Sequence, residues 1–282
     1  MPPPEHIHSD HGLSDPRNAP PLRLGVCGTG KVATAFLRRW STLTAAVDVR
    51  WVWGRRPDAV EEMRKKVGGT WQVLGDWRDG VSEVDWIALA VSDDAIPEFH
   101  APLPNGVRTF HFSGSVACPA HGAVLWPIRA IQEDIPPDFD TLPCALQISA
   151  GHHSDGHHDT AFEAFMRQTA PNCRLMNDEE RMQAHIAAVF AANISNHAFA
   201  IAQDLAHAAG LPWETFAPLV QGVGQIATAG HSRSAQTGPA LRRDAGTLER
   251  HRVWLKQHAP QWLPLYNAAS ASIQNDDTTP TP

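Results

Sequence analysis

The chain has 282 residues, enough for about two domains at roughly 150 residues each. A composition 43% hydrophobic and 19% charged fits a folded globular protein and excludes wholesale disorder. Acidic residues outnumber basic ones, 30 to 23, and the resulting charge of −7 argues against a general nucleic-acid or polybasic membrane role.

The four cysteines, Cys27, Cys118, Cys144 and Cys173, include no C-x-x-C pair and are too few for a disulfide scaffold, so a reducing, cytoplasmic setting is expected. Residues 1–21 are rich in Pro, His and Asp, lack an apolar core of the kind a signal peptide needs, and read as a disordered tail. The strongly apolar stretches, such as Val84 to Val91, are far shorter than a membrane span.

Folded sequence starts at Leu22. The apolar run LRLGVC ends in glycines, a helical pattern follows through Val32, Ala33, Phe36, Leu37 and Trp40, and VDVRWVW then reads as a second strand. Strand, helix and strand in about 30 residues make a βαβ unit with a parallel pair. The alternation continues with a helix over PDAVEEMRKKV and strands at WQVL, VDWIALAVS, VRTFHFSGS, LPCALQIS and CRLMN. Residues 22–176 therefore read as a doubly wound α/β domain.

The pattern changes at Asn177, which with Glu180 forms a capping box. No Gly or Pro interrupts the chain until Gly210, so a helix of about 32 residues, on the order of 48 Å long, is expected. Helices over 213–229 and 244–257 follow, so residues 177–268 read as an all-α domain and 269–282 as a second tail. So long a helix usually needs several packing neighbours, and a homodimer through the helical domain would provide them.

Gly28-Thr29-Gly30-Lys31-Val32-Ala33 is a G-x-G-x-x-A motif at the end of the first strand and the start of the first helix. Gly28 permits a tight turn, Gly30 a close backbone approach to a pyrophosphate, and Ala33 close helix–strand packing. The helix N-terminus favours the anion. Where an NAD site carries an acid after the second strand, this chain has Arg55 and Arg56, whose guanidinium groups suit a 2′-phosphate, so the expected cofactor is NADP.

Two later strand ends should face the cofactor: Ala90-Val91-Ser92-Asp93 and His111-Phe112-Ser113-Gly114. Val91, Ser92 and Gly114 are candidate cofactor contacts, Ser113 a candidate ribose or substrate ligand, and His111 either a proton donor or a groove filler. On the long helix, His185, Asn193, Asn196 and His197 form a polar set; at 100° per residue, Asn196 falls about 20° and Asn193 about 80° from His185. His185 and Asn193 are the functional candidates there, with interhelix bonding the plainer reading for Asn196 and His197. Arg242 and Arg243 could meet an anion, although helix capping by Asp244 or Thr247 explains most of that segment. The His-rich stretch Gly151 to Asp159 contains metal-ligand residue types, but an exposed loop insertion explains it better and no metal site is assigned.

The glycine motif, the His-x-Ser-Gly run at His111, the His-x-Ala-Ala-Val-Phe-x-x-Asn run from His185, and the Thr-Gly-Pro…Arg-Asp-Ala-Gly-Thr run from Thr237 to Thr247 resemble those of a Rossmann-like family whose helical C-terminal half is catalogued as a domain of unknown function. That family is similar in architecture to pyrroline-5-carboxylate reductase, ketopantoate reductase and the 6-phosphogluconate dehydrogenase group. The resemblance implies a dimeric, NADP-binding oxidoreductase-like protein with an interdomain active site, acting on a small carbonyl, imine or hydroxy compound. The chain departs from the family at Trp126-Pro127, where members usually carry His-Pro. The alternatives are a non-catalytic NADP-binding regulatory or scaffold protein, since a fold does not dictate turnover, and a metal enzyme built on the 151–159 histidines.

Overall fold

A computed structural model describes residues 20–99, 103–132, 135–149 and 160–275. The chain divides into two compact units, Met1–Ala191 and Ala192–Pro282.

The first unit is an eight-stranded sheet. Its strands are β1 (Leu22–Cys27), β2 (Val47–Trp53), β3 (Gln72–Leu74), β4 (Trp86–Leu89), β5 (Arg108–His111), β6 (Ala123–Pro127), β7 (Cys144–Ile148) and β8 (Cys173–Leu175), in the order β3-β2-β1-β4-β5-β6-β7-β8. Neighbours from β3 through β6 run parallel, β6 and β7 pair antiparallel, and β7 and β8 are parallel again. The doubly wound expectation holds, with one reversal.

Side-chain alternation along the strands feeds two apolar layers. Leu24, Val26, Val52, Trp86, Ala88 and Phe110 face the layer that also buries Phe36, Leu37 and Trp40 of α1 (Lys31–Trp40), Val60 and Met63 of α2 (Pro57–Val67), and Phe162, Phe165 and Met166 of α3 (Thr160–Thr169). Cys27, Trp51, Ile87 and Leu89 face the other layer, which is covered by two 3₁₀ segments, Trp77–Glu83 and Asp93–Phe99, through Trp77, Val81, Ile96 and Phe99. The second covering is thus made of short tight turns instead of α-helices.

Strand β6 and helix α3 have no counterpart among the sequence expectations. The expected long helix begins on schedule, with Asn177 accepting from Glu180 N–H and the Glu180 carboxylate accepting from Asn177 N–H. It is α-helical over α4 (Asp178–Ala188), becomes a π-helix over Val189–Ile194, and resumes as α5 (Ser195–Ala208). A π turn closes on the fifth residue rather than the fourth, so the uniform 100° step assumed between His185, Asn193 and Asn196 does not apply. The division between units falls inside this helix, because α4 is fastened to the sheet. Arg181, fully buried, donates to the Gln147 side chain, to Val116 O and to Asp178 Oδ1.

By length and composition, the 31-residue run Asp178–Ala208 could also cross a membrane, and none of its most apolar window is buried. A search for unbroken apolar stretches misses it because His185, Asn193, Asn196 and His197 lie along it. Such side chains are costly against hydrocarbon.

The second unit holds α5, α6 (Ala217–Thr228), α7 (Ala245–His258) and α8 (Leu263–Asn275). Helix α8 replaces the tail expected from residue 269; of that tail, 276–282 lie outside the described residues. Asp244 caps α7 by accepting from Thr247 N–H and Oγ1, as the sequence suggested. Helices α7 and α8 are tied by His251 Nδ1 with Tyr266 OH (2.8 Å) and by Arg252 Nε donating to Asn267 Oδ1 (3.1 Å). The unit buries few apolar side chains, chiefly Ala206, Ala240, Leu248, Leu255 and Ala259.

Candidate dinucleotide site

The site begins where β1 ends. Gly28 has φ +129, a conformation side-chain-bearing residues rarely adopt, and a Cβ there would collide with the Ala90 carbonyl. Gly28 N–H donates to Trp53 O (2.8 Å) and Ala90 N–H to Cys27 O (2.8 Å), so the ends of β1, β2 and β4 are stitched together at the turn. Gly30 is the N-cap of α1. No side chain caps that helix, its first turn contains no acid, and a Cβ built on Gly30 meets nothing within 4 Å. Among the described residues, then, the first amides of α1 have no side-chain cap and the space beside the Gly30 Cα is empty. Thr29 packs its methyl against Gly54, while Lys31 is exposed and Val32 is half-buried.

Past β2, Arg55 and Arg56 are both exposed, and neither is paired with an acid among the described residues. Val91 and Ser92 follow β4, half-buried and exposed respectively.

Beyond β5 the turn is tightly bonded. His111 is fully buried; its Nδ1 accepts from Ser113 N–H (3.2 Å), and its Nε2 lies 3.1 Å from Ala117 O and so carries the proton. Ser113 Oγ donates to Asp93 Oδ2 (2.8 Å) and accepts from the N–H groups of Ser115 (3.1 Å) and Val116 (3.0 Å). Both side chains are consumed by the fold.

His185, half-buried on α4, stands over this turn. Its ring meets Trp126 edge-on (centroids 5.3 Å apart, planes at 73°), and a Cβ on Gly114 would lie 2.5 Å from His185 Cδ2 and 2.7 Å from Trp126 Cε2. The structure thus brings together His111, Ser113, Gly114 and His185. Asn193, Asn196 and His197 belong to the second unit and are exposed, the last with its ring against Trp262 (5.6 Å). Arg242 is exposed, and Arg243 donates to Gln274 O (3.2 Å).

Sequence reasoning gave no role to Asp93 or Arg181, and took Trp126 only as a departure from the family pattern. Asp178, in the first turn of α4, adds to the same fastening by accepting from Cys118 N–H (2.9 Å). Burial pushes its carboxyl up, but the bonds from Cys118 N–H and Arg181 outweigh that and hold it below the usual carboxylate range. Burial pushes the Cys118 thiol up to about 11. No group of His, Cys, Asp and Glu suited to a metal occurs among the described residues, and the 151–159 histidines lie outside them.

A parallel sheet with an open, glycine-lined helix start at the carboxyl end of β1 is the arrangement in which α/β sheets hold dinucleotides. The chain has the fold of the Rossmann-type oxidoreductases with a helical C-terminal domain. A Bacteroides fragilis protein provisionally assigned as an NADP oxidoreductase superposes with TM-score 0.72 at 22% identity, over 90% of this chain and 98% of its own. A Thermotoga maritima protein gives 0.60 at 18%, over 89% and 96%. An imine reductase variant from Myxococcus stipitatus, in complex with NAD+, gives 0.56 at 14%, over 90% and 92%. Residues 150–273 match the family described as a domain of unknown function, DUF2520. No curated protein matches the chain. The dinucleotide implied by this Rossmann fold fits the residues present: the uncapped start of α1 and the open space over Gly30 suit a pyrophosphate, and Arg55 and Arg56 suit a further phosphate.

Proposed function

We propose that the protein is an NADP-dependent oxidoreductase, a reductase or dehydrogenase, acting on a small carbonyl, imine or hydroxy compound. The observation that carries this reading is the uncapped start of α1 behind Gly28 and Gly30, with two exposed arginines after β2 that no acid pairs among the described residues. Gly28, Thr29, Gly30, Lys31 and Val32 would receive the pyrophosphate by backbone N–H groups, and Arg55 and Arg56 the 2′-phosphate by charge-assisted bonds. Val91, Ser92 and Gly114 would border the nicotinamide end. The bound cofactor supplies or accepts the hydride.

His185 is the proton carrier of choice. Its imidazole is half-exposed beside Gly114 and can exchange a proton with a substrate oxygen or nitrogen. His111 and Ser113 shape the turn beneath, since their bonding groups are already used. Asn193 is retained as a substrate-orienting candidate from its motif.

The same reading takes the chain as a homodimer through its helical domain. Support comes from the exposed Leu219, Val223, Ile226, Val253, Trp254 and Leu265 of the second unit, more apolar surface than a small soluble unit usually leaves open. Sedimentation at micromolar concentration tests it.

Calorimetric titration with NADPH and NADH tests the cofactor, and NADPH oxidation across a panel of carbonyl and imine compounds tests turnover. Tighter NADH binding would overturn the NADP assignment. A blank panel with cofactor saturated would favour the non-catalytic, regulatory alternative, which the internal bonding of His111 and Ser113 already keeps in view.

A further inference from the structure

Asp93 opens the 3₁₀ segment after β4, and its carboxylate crosses to the turn after β5. One oxygen, Oδ2, accepts from Ser113 Oγ (2.8 Å) and from Ser115 Oγ (2.9 Å). With its hydrogen committed to Asp93, Ser113 Oγ turns its lone pairs to the Ser115 and Val116 amides, which closes the turn. His111 Nδ1 holds the near side of that turn by accepting from Ser113 N–H, and His111 Nε2 holds Ala117 on the far side. Gly114, at the apex, is the residue against which His185 packs. Asp93 is itself exposed, so its bonds to the serines are not the by-product of filling a core.

We propose that Asp93 is a positioning residue for the reaction: through Ser113 and Ser115 it fixes the turn after β5 on which the nicotinamide end of the dinucleotide rests and against which His185 is set. The inference rests on the NADP reading above, but it concerns a different end of the cofactor from the glycine turn and the arginines. Removing Asp93 frees the serine hydroxyl to rotate, releases its claim on the Ser115 and Val116 amides, and loosens the apex at Gly114. The start of α1, two strands away, keeps its own bonds.

That separation supplies the test. Calorimetry would compare two ligands on wild type, Asp93→Ala, Asp93→Asn and Ser113→Ala, well below the unfolding temperature of each: NADPH, and adenosine 2′,5′-bisphosphate, which has the phosphorylated ribose but no nicotinamide. Asp93→Ala and Ser113→Ala should each weaken NADPH roughly tenfold while leaving the bisphosphate unchanged, as the loss of a charge-assisted bond holding a contact surface would do. Asp93→Asn, whose side-chain carbonyl can accept both hydroxyls, should restore most of the NADPH affinity. The double variant Asp93→Ala/Ser113→Ala should lose less than the sum of the two single ones, because both share the Asp93–Ser113 bond. Equal affinity of wild type and Asp93→Ala for NADPH overturns the proposal and leaves the cofactor reading standing. So does parallel weakening of both ligands, which marks a general structural role. A wild-type protein that binds neither ligand overturns the cofactor reading and this proposal with it.

Discussion

Gly114 lacks a side chain at the place where His185 needs the room: a methyl built there stands 2.5 Å from the His185 ring and 2.7 Å from Trp126. Gly114→Ala should therefore push the imidazole off its seat. Overpacking of this kind costs about 1–3 kcal/mol, so urea unfolding should show a lower midpoint, and any NADPH-linked turnover should fall further than the NADPH affinity does. Unchanged stability would mean that His185 swings aside freely and is not held as described.

Gly28 and Gly30 should respond differently to the same substitution. Gly30→Ala meets open space and should leave folding stability within about 0.5 kcal/mol, yet weaken NADPH, because the methyl occupies the space assigned to the pyrophosphate. Gly28→Ala combines a strained φ with a backbone collision and should lose stability as well. Thermal melts beside titrations of both variants check this; a Gly30→Ala protein with normal NADPH affinity would move the phosphate site elsewhere.

Replacing Arg55 and Arg56 together by Ala should weaken NADPH by about 1–3 kcal/mol and leave NADH untouched, since only the former has a 2′-phosphate for the guanidinium groups to hold. Equal losses for both cofactors would point to a general charge effect.

The Asp178–Arg181 fastening predicts an acid limb in stability. Asp178 is held below its ordinary range in the folded state, so its contribution is complete at neutral pH and disappears as the pH falls through the folded value. Asp178→Asn should flatten that limb. Arg181→Ala strips the donors from Val116 O and Gln147 and should cost about 2–5 kcal/mol at neutral pH. Denaturation midpoints from neutral pH into the acid range measure both.

The glycine turn, the βαβ alternation around it, and the arginines after β2 were legible because each depends on residues adjacent in sequence. Strand β6 was not, because AVLWP is short, ends in proline and gains its identity from antiparallel pairing with β7. The π segment carries no Gly or Pro to announce it: VFAANI reads as ordinary helix, so phase arguments ran through it unbroken. The bonding of Ser113 was not legible because Asp93 becomes its neighbour only when β4 and β5 pair, and that of His111 because the turn that brings Ala117 back to its ring carries no mark in the sequence. Arg181 sits in a run, DEERMQ, that looks like a solvated helix face, and its burial is a tertiary fact. Helix α8 was lost to its Ala- and Ser-rich composition, which resembles the polar tail beyond it.

The bond from Gly28 N–H to the Trp53 carbonyl puts an indole at the edge of the glycine turn, half-buried and with its own N–H donated to Gly75 O. The chain thereby carries a built-in optical reporter. A reduced nicotinamide settling nearby should quench indole emission and brighten its own, and Trp53→Phe should dim that exchange of light without disturbing the backbone that does the gripping.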